Sequence, residues 1–131
     1  MKYIVLIARV LFGLCSIVLL VLGGFFWSGH ALSLLPYHMF IGTVFVICMW
    51  VLGVIGLLAP GNRPLAVFVL VWSFVVPALG VTQLQLLPGA DHWVIQAVHL
   101  LVGLIAMGLT ASLARRIGQR PAQTAAVPES V

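Results

Sequence analysis

The sequence predicts an all-α fold: an integral membrane, antiparallel four-helix bundle with both termini cytoplasmic. Three observations predict it. Hydrophobic residues make up 63% of the 131 residues and charged residues only 6%, too little polar surface to cover a soluble globule. The apolar residues fall into four runs, each near the roughly 20 residues that a spanning helix needs. Lys2, Arg9, Arg63, Arg115, Arg116 and Arg120 all fall at one side of a four-span arrangement, and the opposite loops hold no Lys or Arg. By the positive-inside rule that side is cytoplasmic. The formal charge of +4 is therefore a topology signal and not a nucleic-acid footprint.

Four spans nearly exhaust the chain, so it is one domain. The helices are expected at about 3–28, 34–58, 65–87 and 92–115 within a transmembrane domain of residues 1–117, boundaries of this kind being good to one or two residues.

The first run, Tyr3 to Trp27, follows Lys2 and carries Arg9 in its second turn. Its apolar part far exceeds the roughly 7–15 residues of a signal-peptide core, and Leu14 stands where a lipoprotein signal needs a small residue before Cys15. It is read as a retained helix, with Arg9 snorkelling to the nearby interface. Phe25-Phe26-Trp27-Ser28-Gly29-His30 reads as an aromatic belt entering a turn.

The second helix has Pro36 near its start, where the missing N–H costs little, and it ends before the turn Ala59-Pro60-Gly61-Asn62-Arg63-Pro64. The third is interrupted by Pro77, which predicts a kink that its neighbours tolerate. Asp91 is a good N-cap for the fourth helix, which is expected to stop at Arg115-Arg116. Residues 118–131 hold two prolines and no apolar face and read as a disordered cytoplasmic tail.

Cys15 and Cys48 sit at similar depth inside apolar runs. Without Cys-x-x-Cys spacing they read as small core residues, a redox pair being the alternative.

The histidines carry the chemistry. Leu34-Leu35-Pro36-Tyr37-His38-Met39-Phe40-Ile41-Gly42 and Ile95-Gln96-Ala97-Val98-His99-Leu100-Leu101-Val102-Gly103 both read His-x-x-x-Gly inside a membrane-length apolar run. An ionisable residue in such a place is a functional-site hypothesis. The topology puts His30, His38, His92 and His99 all in the outer half of the membrane or at its outer surface. His92, Gln96, His99, Gly103 and Thr110 share a stripe of the fourth helix, and His38, Gly42, Phe45, Met49, Gly53 and Gly56 share one of the second. Such stripes face a bundle interior. The bland reading is close glycine packing with each histidine bonded to a neighbour, and it suits the interfacial His30 and His92.

Two neutral imidazoles from facing helices can hold haem b, each supplying one axial nitrogen. His38 and His99 are the expected iron ligands. Gly42, Gly103 and Gly80 offer space, Phe40, Phe45, Phe74 and Trp93 offer walls, and Tyr37, Gln85, His30 or His92 could meet the propionates. Gln96 lies beside His99 on the same stripe.

At these residues the chain resembles the four-helix b-type membrane cytochromes, including the cytochrome b561-like electron carriers. That resemblance implies a haem b electron-transfer protein. Diheme members place ligands toward both faces, whereas this chain has histidines on one side only. The departure implies a single haem near the outer face, exchanging electrons with a quinol or a periplasmic partner in a bacterial-type inner membrane.

Ala8-Arg9-Val10-Leu11-Phe12-Gly13 also resembles small four-helix proteins of the DoxX type, which implies a non-haem accessory or assembly subunit. A third class is a copper or zinc site lined by the four imidazoles, His30 and His92 joining the pair. It has only Asp91 as a nearby carboxylate. Hydrolytic and transferase chemistry lacks both a nucleophile–base–carboxylate set and a phosphate-binding loop. The expected partners are lipid, a quinol or redox protein and a homo-oligomeric copy.

Overall fold

The computed structural model describes residues 2–124. Four helices account for nearly all of them: α1 (Lys2–Trp27), α2 (Leu35–Leu58), α3 (Arg63–Thr82) and α4 (His92–Thr124). Each is long and apolar enough to cross a membrane, and no strand occurs among the described residues. Short 3-10 turns at Leu32–Leu34 and Gln83–Gln85 lead into α2 and out of α3.

The helix boundaries follow from local chemistry. Pro36 and Pro64 occupy the first turns of α2 and α3, where their missing N–H groups would have had no intrahelical partner. Gly29 and Gly61 take φ values of 75° and 74°, the left-handed conformation that lets the chain reverse after α1 and α2. Ser28 Oγ donates to the Phe25 carbonyl at 2.9 Å and so closes α1.

Two boundaries differ from the sequence reading. The third helix ends at Thr82 and not near Leu87, because Leu86 is already extended (φ −91°, ψ 130°) and Leu87, with φ 45°, precedes Pro88, which disfavours right-handed helix in the residue before it. The fourth runs past Arg115-Arg116 to Thr124. The tail expected from 118 is therefore helical over 118–124, and 125–131 lie outside the described residues. Extending an existing helix needs no new nucleus, and Ala, Arg and Gln all favour the helical state. Pro77 lies inside α3, which continues through it.

Successive helices pack on each other, α4 closes against α1, and α2 meets α4 across the bundle, whereas α1 and α3 do not touch among the described residues. The cross-section is thus a rhombus with α2 and α4 on its short diagonal. The packing is uneven along the bundle axis. Every fully buried residue falls in Ala8–Cys15, Phe45–Gly56, Asn62–Ser73 or Ala106–Ala114, which together form one half, at the end holding the α2–α3 turn.

That half is tightly built. Met49 and Leu52 are completely buried, Phe12 and Phe45 stack at 5.0 Å, and Cys15 and Cys48 are buried free thiols in the same cluster. A Cβ on Gly53 would come within 2.7 Å of Leu70, and one on Gly56 within 2.9 Å of Leu113; glycine is needed there for close helix approach. Two indoles tie helices together: Trp50 Nε1–H donates to Ser73 Oγ at 2.7 Å and Trp72 Nε1–H to the Val102 carbonyl at 2.9 Å. In the other half no described residue is fully buried. All four histidines are in that looser half.

Candidate functional site

Helical phase places His38 and His99. Residues seven, eleven and fourteen positions after His38 are Phe45, Met49 and Leu52, and the same steps from His99 reach Ala106, Thr110 and Leu113. All six are fully buried. Both imidazoles therefore continue the inward stripes of α2 and α4, and both stand about 10 Å from the first buried residue of the stripe, at 1.5 Å per residue. Since α2 and α4 run in the same direction and meet across the bundle, the two histidines lie on its inner side toward the same end. The two HxxxG phrases are the sequence trace of this pseudo-symmetry.

The immediate surroundings differ between the two. His38 is half-buried and meets Phe26 of α1 edge-on, with ring centroids 5.4 Å apart. His99 is half-buried against Gly80 of α3, whose Cβ, if present, would lie 3.4 Å from the imidazole Cε1. On each ring Nδ1 is shielded from solvent and has no hydrogen-bond partner. A buried polar atom left so costs roughly 1–3 kcal/mol, and such orphans in native folds point to strain or to an absent ligand, ion or water.

The remaining expectations divide. Gly42 and Gly103 lie one turn inward of the histidines with nothing within 4 Å of a Cβ position. Gln96 is half-buried on the same side of α4. Tyr37, 63% exposed, stands beside His38 on the outer surface of α2 and suits the mouth of a pocket, not its wall.

Phe45 is a correction: it lies two turns below His38, stacked on Phe12 in the tight core, and fills that core instead of lining a site. Phe40, Phe74 and Trp93 are also excluded as walls, being 68%, 63% and 58% exposed; their azimuth on each helix turns them outward. The aromatic that does face a histidine is Phe26, which the sequence reading took for interfacial belt.

His30 and His92 do not join the pair. The exposed His30 has Nδ1 3.1 Å from Ser28 Oγ, and His92 has Nδ1 3.3 Å from the Leu86 carbonyl, both contacts within their own loops. Among the described residues no three His, Cys, Asp or Glu side chains are grouped to hold a metal ion.

The donor set at this end is two imidazoles, His38 and His99, on facing helices, with Gly42 and Gly103 one turn further in and no third ligand grouped with them among the described residues; bis-histidine ligation of a flat macrocycle would use such a set. Comparison with family models, curated proteins and solved structures returns no match.

Proposed function

We propose that the protein is a membrane electron carrier that holds one haem b between His38 and His99. One observation carries the reading: two inward imidazoles of α2 and α4 toward the same end of the bundle, each with a buried, unpartnered ring nitrogen, in the half of the bundle that has no fully buried residue. When bound, haem supplies one-electron redox chemistry at a potential set by its axial ligands and their surroundings.

The chain's own contribution is positional. α2 and α4 hold the two nitrogens facing each other across the short diagonal, Phe26 and Gly80 pack beside the rings, and Gly42 and Gly103 keep side-chain bulk out of the space between. The tight half beneath resists collapse of the helices into that space. Tyr37, Gln85 and the loop histidines, all near the open end, are the polar groups available to carboxylates at the rim. The basic residues gather at the opposite end, so the positive-inside rule puts the site near the outer face of a bacterial-type inner membrane, both termini being cytoplasmic. Electrons are then exchanged at one face, with a quinol or a redox protein.

The test is an absorption spectrum of the protein purified in mild detergent from cells supplied with haem precursor. A Soret band with split α and β bands on reduction is expected. Colourless protein would sink the proposal. A colourless protein that co-purifies stoichiometrically with another membrane protein would favour an accessory subunit instead, a reading for which the open glycines of α1, Gly13, Gly23 and Gly24, provide a docking face.

A further inference from the structure

A second seated ionisable group lies at the far end of the bundle from the histidines and does not depend on the haem reading. Arg9 leaves α1 next to Ala8, which is buried in one cluster with Leu52 of α2 and Ala114 of α4. Its guanidinium lies over Gly118, one turn beyond Ala114: a Cβ on Gly118 would be 2.9 Å from Nη1. The arginine stem thus runs toward the end of the bundle, and its head occupies a notch that exists because residue 118 has no side chain.

Arg115 leaves α4 three residues before Gly118, but its Nη2 donates to Ser112 Oγ at 3.1 Å, which turns its head away from Gly118 toward the outward side of α4. Arg116 falls on the other flank, toward α3. The groove between α1 and α4 therefore presents the Arg9 guanidinium at this end. The described residues contain one carboxylate, Asp91, which precedes α4 and is about 40 Å from Gly118 along that helix at 1.5 Å per residue. Arg9 cannot be neutralised by it.

We propose that Arg9, seated on Gly118, binds the phosphate of an anionic phospholipid in the groove between α1 and α4. A guanidinium offers paired N–H donors that match two phosphate oxygens. Arg9 lies in the second turn of a spanning helix, so a snorkelled head reaches headgroup depth. A zwitterionic lipid offers the same phosphate with a compensating cation, whereas an anionic one leaves a net charge that attracts the guanidinium.

The experiment measures lipid binding to the delipidated, detergent-purified full chain by native mass spectrometry and thermal melting. The probes are phosphatidylglycerol, phosphatidylcholine and inorganic phosphate. Phosphatidylglycerol is expected to bind about tenfold more tightly than phosphatidylcholine, which corresponds to about 1.4 kcal/mol, and to raise the melting temperature. Arg9→Gln should abolish the preference, Arg9→Lys should retain part of it, and Gly118→Leu, which fills the notch and leaves every charge in place, should weaken it. Arg116→Gln should leave it unchanged.

Equal loss in Arg116→Gln and Arg9→Gln would mean diffuse surface attraction and overturn the site. An undiminished preference in Gly118→Leu would overturn the role of the notch, even if Arg9→Gln did not fold. The same stabilisation by millimolar inorganic phosphate would replace the lipid with a free anion and refute the proposal.

Discussion

His38 and His99 stand at matching positions on two helices that meet across the short diagonal of the bundle, each seven residues before the first fully buried residue of its inward stripe, Phe45 and Ala106. Neither helix is the privileged half of the site. If a haem is held between them, loss of either ring should be felt equally.

His38→Ala and His99→Ala are each expected to abolish the low-spin bis-imidazole spectrum, while His30→Ala and His92→Ala keep it. The latter two rings are held by contacts in their own loops, to Ser28 and to the Leu86 carbonyl. Optical and electron paramagnetic resonance spectra of the four variants check this. An unchanged spectrum in His99→Ala would refute the ligand assignment.

Gly80 of α3 packs beside the His99 ring. A methyl group there meets the imidazole Cε1 at 3.4 Å, ordinary contact, so Gly80→Ala should bind haem with a slightly shifted spectrum. Gly80→Leu should rotate the ring and cost about 1–3 kcal/mol by overpacking. Haem occupancy measured beside the melting temperature separates ring displacement from general destabilisation.

Phe45 and Phe26 should behave oppositely. Phe45→Ala removes a ring stacked on Phe12 in the tight half and should cost about 3–5 kcal/mol of stability, with the spectrum of the remaining folded protein unchanged. Phe26→Ala opens the edge contact on His38 and should alter the spectrum or the reduction potential more than the melting temperature.

Gly53→Ala should destabilise the bundle by about 1–3 kcal/mol, because its Cβ would lie 2.7 Å from both Cγ and Cδ2 of Leu70 and the collision involves the branch point of that side chain. Trp72→Phe should cost about 0.5–1.5 kcal/mol, the net value of the lost bond to the Val102 carbonyl. Thermal melts in one detergent provide both numbers.

The sequence alone determined the four helices and the pair of histidines within two of their apolar runs. Hydropathy counts residues in a run, and helix length, loop prolines and glycines are local properties, so no knowledge of neighbours was needed. The recurrence of His-x-x-x-Gly already placed one histidine in each of two helices. The end of the third helix was misjudged because apolar residues continue through Leu84, Leu86 and Leu87, and only the backbone turn before Pro88 shows where the helix stops.

What only the tertiary structure decided is which side of each helix faces which neighbour. The apolar surface of a spanning helix satisfies lipid and protein alike, so hydropathy does not separate an outward Phe40 or Phe74 from an inward Phe45. The contact of Gly80 with His99, of Phe26 with His38 and of Arg9 with Gly118 each joins residues of different helices, and each depends on azimuth and depth fixed by packing. The same packing closes one half of the bundle around Met49 and Leu52 and leaves the histidine half without a buried residue, because glycines at 53 and 56 allow close approach there while Gly42 and Gly103 face open space.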